Sequence, residues 1–303
     1  MARRCPAVNF PNRSETANTL YGSTGFLHAD WRNLDLAEGD RYLAMGMKVR
    51  GNATRRVTRV TKNVQPPIRV DAAQAAQVLR SYYQAMFSRL GPRRWWPAKT
   101  RFEVIVGAIL TQNTAWSNVE RAIANLRHEK LLGFRSLERT RASRLAGLIR
   151  SSGYFRQKAR KLKAFVRFLR AEYGGSLKRM FRTPTSILRE KLLGVHGIGR
   201  ETADSILLYA GNHPVFVVDA YTRRILERHE IIRAHATYEV IRQLFERNLT
   251  PSDSLYNEYH ALLVGVGKEW CRAKSPRCSD CPLEGFLPRT ASREAVDFVS
   301  IST

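Results

Sequence analysis

Hydrophobic positions along most of this chain recur every three to four residues, which is the period of an α-helix. An N-cap-like Asp71 precedes the segment AAQAAQVLRSYYQAMF, and a buried helix face follows in residues 102–109. Further helical segments are predicted at residues 119–126, 143–151, 154–172, 184–192, 225–229, 238–247 and 256–266. The basic positions of the 154–172 segment are interpreted as a solvated face. Because no alternating strand pattern persists, the sequence predicts an all-α protein.

The stretch 192–226 combines a glycine turn with a single carboxylate. Gly194, Gly197 and Gly199 lie between two helical patterns, and the second helix is expected to start near Arg200. A glycine turn that leads into a helix N-terminus presents unpaired N–H groups to an anion, interpreted here as a nucleic-acid phosphate. An apolar run at 215–218 then ends at Asp219, which places this acid at the edge of a buried segment.

The two ends of the chain differ from its middle. Residues 1–66 are rich in Arg and Asn and weakly periodic, which predicts a basic arm without fixed structure. The alternative is that translation starts at Met45 or Met47. Residues 67–285 are expected to form the folded core, and residues 286–303 a tail.

The formal net charge of +25 over 303 residues favours a polyanionic partner, although a basic protein that merely uses arginine freely would share it. No apolar run is long enough for a membrane span, and no signal-peptide pattern opens the sequence. Four cysteines, three of them within residues 271–281, do not suggest a secreted disulfide scaffold. We therefore expect a cytoplasmic, nucleoid-associated protein.

The motifs GIGRETA and VVD resemble the helix-hairpin-helix/GPD superfamily of DNA glycosylases, to which endonuclease III belongs. Hairpin, helix and aspartate stand in the family's order, and the interval between Glu201 and Asp219 matches the family's. The resemblance implies a two-lobed fold with a DNA-binding cleft. One lobe of six helices would span about 98–210, and the second would combine 67–97 with 211–285. It also implies a monomer that binds double-stranded DNA containing a damaged base.

In this resemblance Asp219 is the essential acid, because a fixed carboxylate stabilises positive charge on the sugar and can orient or deprotonate water. Bifunctional members carry a lysine where this chain has Glu201, so no Schiff base can form at that position. We therefore expect a monofunctional glycosylase that leaves an abasic site, with Glu201 as the second catalytic carboxylate, in the base pocket. The structural alternatives are a helix N-cap for Asp219 and a helix first-turn acid for Glu201.

The motifs WWP, LTQNT and GIGRETADSIL, spread over about residues 92–230, resemble the 3-methyladenine DNA glycosylase III branch of the superfamily. The resemblance implies that Trp96 and Trp116 sandwich the extruded base, with Trp95 beside them. Packing in the core is the alternative. Gln112 would fill the hole left by the base, or serve only as a polar helix C-cap. The residues expected to contact DNA are Gln112, Gly197, Gly199, Arg200 and Thr202.

Cys271, Cys278 and Cys281 resemble the first three ligands of the iron–sulfur loop of endonuclease III relatives. The fourth ligand position falls on Leu287. Three alternatives follow: a [4Fe-4S] cluster with a non-cysteine fourth ligand, a zinc site with an unidentified partner, or a loop without metal. Catalysis is expected to need no cofactor.

An alkylated purine fits the predicted aromatic pocket best, since a cationic base gains cation–π attraction there and is already a good leaving group. The alternatives are a glycosylase for mismatched or oxidised bases, an endonuclease III-type glycosylase with lyase activity, and a non-catalytic DNA-binding protein.

Overall fold

The computed structural model describes residues 66–93, 95–96 and 98–288, and within these ranges the protein is helical, with one isolated β-bridge between Ile68 and Ile232. The helices are α1 (Ala72–Leu90), α2 (Arg101–Leu110), α3 (Trp116–His128), α4 (Phe134–Arg139), α5 (Ala142–Leu148), α6 (Phe155–Tyr173), α7 (Leu177–Met180), α8 (Thr185–Leu193), α9 (Arg200–Ser205), α10 (Ala220–Arg228), α11 (Tyr238–Asn248) and α12 (Asp253–Glu269). The predicted all-α class is confirmed. The arm predicted before residue 66 and the tail beyond residue 288 lie outside the described residues.

Helix starts follow local capping chemistry. Asp71 caps α1 as predicted, since its carboxylate accepts a hydrogen bond from the Gln74 N–H at 2.8 Å. Ser252 likewise caps α12 through the Leu255 N–H at 3.2 Å. The short helices α4 and α7 were not predicted, because each contributes a single buried residue and so shows no periodic pattern.

Two hydrophobic cores organise the described part of the chain. The first is built from residues between Phe102 and Val215, mainly on α2, α3, α5, α6, α8 and α9. The second joins α1 to α10, α11 and α12, where Phe216 stacks on Phe245 with ring centroids 3.7 Å apart. Tyr209 packs against both cores. A cleft can therefore form where the two cores meet.

The basic face of α6 is solvated at Arg156 and Arg160, but the interpretation was wrong for Lys158. Lys158 is 2% exposed, and its ammonium donates hydrogen bonds to the carbonyls of Leu110 at 2.8 Å and Ser152 at 2.6 Å. Burial, with the charge of Lys161, lowers the pKa of Lys158 to about 8. Lys158 therefore holds the end of α2 against the turn before α6, which fixes the segment that carries Gln112.

No helix within the described ranges is both long and apolar enough to cross a lipid bilayer.

Candidate active site in the cleft between the cores

One cavity of about 1280 Å³ brings together the predicted residues of the cleft. Its wall includes every residue predicted from the sequence to be catalytic, to contact the base or to contact DNA: Trp95, Trp96, Gln112, Trp116, Gly197, Gly199, Arg200, Glu201, Thr202 and Asp219. This volume exceeds the roughly 300–1,000 Å³ of an ordinary small-molecule pocket. It suits a site that must admit a segment of a larger molecule. The three cysteines do not line this cavity.

Asp219 stands where the buried run Val215–Val218 ends and α10 begins. Its side chain is 13% exposed and caps the helix, because Oδ1 accepts a hydrogen bond from the Thr222 N–H at 2.7 Å. Oδ2 faces the Nε2 atom of His260 at 3.7 Å. The helix thus fixes one oxygen of the carboxylate, and the group as a whole remains on the cavity wall. Asp219 therefore both caps α10 and lines the cleft.

Glu201 lies in the first turn of α9 and lines the same cavity as Asp219. Solvent in the cleft reaches this residue, yet burial among the cleft walls and the charge of Asp219 together raise the pKa of Glu201 to about 7. Near neutral pH a substantial share of the molecules carries a protonated Glu201, which can donate a hydrogen bond. Two neighbouring carboxyl groups in different protonation states can act as donor and acceptor in one reaction.

A third carboxylate near the hairpin is structural. Asp204 is fully buried and accepts paired hydrogen bonds from the Arg189 guanidinium at 2.6 and 3.0 Å. The Tyr238 hydroxyl donates to it at 2.8 Å, and Arg189 also binds Glu239. This network ties α8 and α9 to α11. Because Glu201 is on α9, the network fixes the helix that carries Glu201 against its neighbours.

The hairpin turn needs glycine at Gly197. Its φ of +83° is unfavourable for other residues, and an added Cβ would meet the Lys161 side chain at 2.3 Å. At Gly199, by contrast, an added Cβ would meet no atom within 4 Å, so the backbone lies open to a ligand.

Gln112 ties the end of α2 to this hairpin. Its amide nitrogen donates to the Gly197 carbonyl at 3.0 Å and to the Thr202 hydroxyl at 2.9 Å, and its amide oxygen accepts from Lys161. Thr111 occupies the C-cap position of α2, so the alternative role of Gln112 as that cap was wrong. Filling the hole left by a base stays a prediction.

The tryptophans meet edge to face. The ring centroids of Trp96 and Trp116 lie 5.1 Å apart at an interplanar angle of 86°, and the Trp116 indole N–H donates to Glu120 at 2.7 Å. Both rings also pack against the first core. A base stacked between two parallel rings needs them about 7 Å apart, twice the carbon–carbon contact distance. The predicted sandwich therefore requires one ring to turn, and it stays a prediction.

Sequence reasoning missed Tyr209 and His260, which also line the cavity. They lie 51 positions apart in the chain and meet through a 2.6 Å hydrogen bond between the Tyr209 hydroxyl and His260 Nδ1. His260 is buried and Tyr209 half-buried, each at an ordinary position of a helical pattern, so no local signal distinguishes them. Lys161 and Lys268, which belong to basic segments of the sequence, also line the cavity, and Lys268 lies over the Trp95 ring at 5.6 Å.

The cysteine loop does not offer the donor set of a four-thiolate cluster. Cys271, Cys278 and Cys281 are free thiols, and no metal-holding group of three or more His, Cys, Asp or Glu residues exists within the described ranges. The Arg228 guanidinium instead donates to Cys271 Sγ at 3.3 Å and to the carbonyl of Arg272 at 2.6 Å. Three thiols are one fewer than the four ligands of a cysteine-held cluster, and the three alternatives for this loop stay predictions.

Fold and site together define a protein of DNA base-excision repair. Residues 106–251 match the family described as HhH-GPD superfamily base excision DNA repair protein, and the chain belongs to this family. It is a DNA N-glycosylase, as its helical fold, glycine hairpin and following aspartate imply.

Individual relatives agree with this assignment. The chain is 45% identical to a Methanocaldococcus jannaschii protein named for DNA repair glycosylase activity, and the match covers 69% of this chain and 96% of that protein. It is 31% identical to the endonuclease III of Thermotoga maritima, over 60% of this chain and 80% of that protein. Among solved structures it is similar to the H. pylori 3-methyladenine DNA glycosylase bound to 1,N6-ethenoadenine. That match has a TM-score of 0.56 and 27% identity, covering 66% of this chain and 98% of the other.

Proposed function

We propose that this glycosylase is monofunctional and hydrolyses the bond between an alkylated purine and its deoxyribose. The observation that carries the proposal is the pair of carboxyl groups in the cleft. Glu201 replaces the amine that a lyase would need at that position, and Asp219 lies on the same cavity wall. The likeness to a 3-methyladenine glycosylase structure with a bound alkyl-type adduct of adenine supports this substrate class.

The reaction follows from the positions of the two acids. As the bond from the base nitrogen to C1′ breaks, the base takes the electron pair and the sugar becomes positively charged. Asp219, held by the Thr222 N–H, stabilises that charge and accepts a proton from the attacking water, whose oxygen bonds to C1′. Glu201, with its pKa near 7, donates a hydrogen bond to the departing base. The products are a free base and an abasic site.

The tryptophans supply the preference for a positively charged base. A cationic purine that stacks on Trp96 or Trp116 gains about 0.5–2 kcal/mol of cation–π attraction once water is excluded. Since Trp96 and Trp116 contact each other in the structure, entry of the base must displace one ring.

The substrate is proposed to be double-stranded DNA, bound by a monomer at the nucleoid. The net charge of +25 supports a polyanion, and Arg200, Lys161 and Lys268 lie on the cleft wall. We expect affinity for undamaged duplex to fall steeply between low and moderate salt.

A glycosylase with lyase activity is the second candidate, because two lysines line the cavity. The Lys161 ammonium binds Gln112, whereas Lys268 is exposed and contacts the Trp95 ring. Lys268 is therefore the amine that could form a Schiff base if the first proposal is wrong.

The test uses the full-length protein with a panel of duplexes, each containing one alkylated, mismatched or oxidised base. We expect release of alkylated purines, with strand breaks only after alkali. Breaks without alkali, together with a borohydride-trapped adduct that Lys268→Ala abolishes, would establish the lyase instead. Binding without release from any duplex would leave a non-catalytic DNA-binding protein.

A further inference from the structure

The buried His260 and the half-buried Tyr209 form a polar pair beside Asp219. His260, on α12, is 5% exposed, and its Nε2 atom has no hydrogen-bond partner within the described residues. That atom faces Asp219 Oδ2 at 3.7 Å, while Nδ1 bonds the Tyr209 hydroxyl at 2.6 Å. A buried donor or acceptor left unpaired costs about 1–3 kcal/mol. Its position beside the predicted catalytic acid therefore calls for an explanation.

The protonation pattern of this pair follows from burial. Burial, reinforced by the charges of Asp219 and Glu201, raises the pKa of Tyr209 well above its ordinary value, so the phenol keeps its proton. Burial lowers the pKa of His260, although the Asp219 charge opposes the shift, and the imidazole is neutral near pH 7.

Two arrangements of the shared protons are then available. If the Tyr209 hydroxyl donates to Nδ1, the imidazole carries its proton on Nε2 and points it at Asp219. If Nδ1 donates to Tyr209, the Nε2 lone pair faces a carboxylate oxygen in a site with little water, which is repulsive. The first arrangement is the stable one.

We propose that His260, oriented by Tyr209, is a positioning residue that holds the Asp219 carboxylate in its reactive orientation. The Nε2–H directs Oδ2, while the Thr222 N–H holds Oδ1. A shift of less than about 1 Å brings Nε2 and Oδ2 to ordinary hydrogen-bond distance. Held at both oxygens, the carboxylate cannot rotate away from the sugar. This role rests on the proposed function.

Tyr209 also connects this pair to the base pocket. Its ring centroid lies 4.9 Å from that of Trp96, a predicted wall for the extruded base. Contacts therefore run from Trp96 through Tyr209 and His260 to Asp219. Tyr209 therefore both orients His260 and contacts Trp96 of the predicted base pocket.

The electrostatic surroundings predict a specific pH effect. The titratable groups that face Asp219 are Glu201 from α9, Tyr209 from the π-helical turn that continues α9, and His260 from α12. Glu201 repels the charge on Asp219, and the His260 N–H stabilises it. Loss of that N–H should move the acidic limb of the rate profile to higher pH.

The experiment compares His260→Leu with His260→Gln, whose amide can place an N–H near the Nε2 position. Single-turnover release of an alkylated purine from duplex DNA is measured across pH for both variants and the wild type. We expect His260→Leu to slow release by about tenfold to a hundredfold, as a misplaced catalytic group does, with unchanged duplex affinity. His260→Gln should stay within a few-fold of wild type. Only the leucine variant should show the shifted acidic limb.

A double-mutant cycle with Tyr209→Phe tests the orienting role. Tyr209→Phe should slow release in the wild-type background and have little further effect beside His260→Leu. If the leucine variant does not fold, Tyr209→Phe alone carries the rate test. Nitrogen-15 NMR of the full chain should show the neutral Nε2–H form of His260 near pH 7, and the Nδ1–H form would overturn the proposal.

The outcomes separate the two proposals. If the wild type releases no base from any lesion, the proposed function fails and this inference fails with it. If the wild type is active and His260→Leu releases base at the wild-type rate, only the positioning role is lost. Equal slowing in both His260 variants with equal loss of thermal stability would also overturn it, since that pattern reflects folding alone.

Discussion

Replacing Asp219 by Asn separates the chemistry of this residue from its structural role. The carboxylate both caps α10, through the 2.7 Å bond to the Thr222 N–H, and faces the cleft. Asparagine is as good an N-cap as aspartate, whereas alanine is not. Asp219→Asn therefore removes the charge and retains the cap, and Asp219→Ala removes both. The pair of variants is a matched comparison at one position.

The expected magnitudes follow from these two roles. Loss of the cap costs about 1 kcal/mol, which lowers Tm by roughly 2–4 °C in a protein of this size. Asp219→Ala should show this loss, and Asp219→Asn should show little of it. Loss of charge stabilisation and of the base that accepts the water proton should slow release by at least about 10³-fold, equivalent to about 4 kcal/mol of barrier.

The assay is single-turnover base release from an alkylated duplex, read after alkali, with Tm and duplex affinity measured on the same preparations. We expect both variants to be inactive, with only Asp219→Ala less stable and with affinity retained in Asp219→Asn. Activity of Asp219→Asn within tenfold of wild type would refute the catalytic assignment. Equal Tm losses in the two variants would refute the argument that the cap survives in asparagine.

Three further outcomes are expected. Lys158→Met should become more destabilising as pH rises from about 8 to 10.5, by up to about 3 kcal/mol, because the wild-type amine loses its buried charge over that interval while the unfolded chain keeps it. Urea unfolding at several pH values measures the free energy of unfolding of both proteins, and a difference that does not change with pH would contradict this expectation. The raised pKa of Glu201 means that its ionisation weakens the fold as pH rises from 4.5 through about 7, so Glu201→Gln should gain stability relative to wild type at pH 8 but not at pH 4. Trp116→Ala should slow release of cationic 7-methylguanine by about 2- to 30-fold, and release of an uncharged purine lesion less; equal slowing would exclude a cation–π contribution.

The contacts of the cysteine loop predict that the fold is stable without a metal cluster. Arg228 holds the cysteine loop through Cys271 and through the carbonyls of Arg272 and Ala273, and these protein contacts need no metal. The purified protein should then contain no stoichiometric iron, and chelators should leave its Tm unchanged. A visible iron–sulfur spectrum that accompanies folding would contradict this.

Local sequence patterns determined much of the fold. Helix periodicity and capping residues such as Asp71 place helices within a few residues of their observed bounds, because both depend on contacts within one helix turn. The glycine turn and the start of α9 at Arg200 are local for the same reason, since positive φ at Gly197 is a property of that backbone position.

What the sequence determined by itself was therefore the longer helices, the hairpin and the presence of one acid at the end of an apolar run. Only the tertiary structure decided that Lys158 turns inward to the carbonyl of Leu110, 48 positions away, and that Tyr209 meets His260 beside Asp219. Periodicity shows which face of a helix is buried, but it carries no information about which polar group on another helix will meet that face. That pairing arises from the packing of the two cores, and the surroundings of the catalytic acid arise with it.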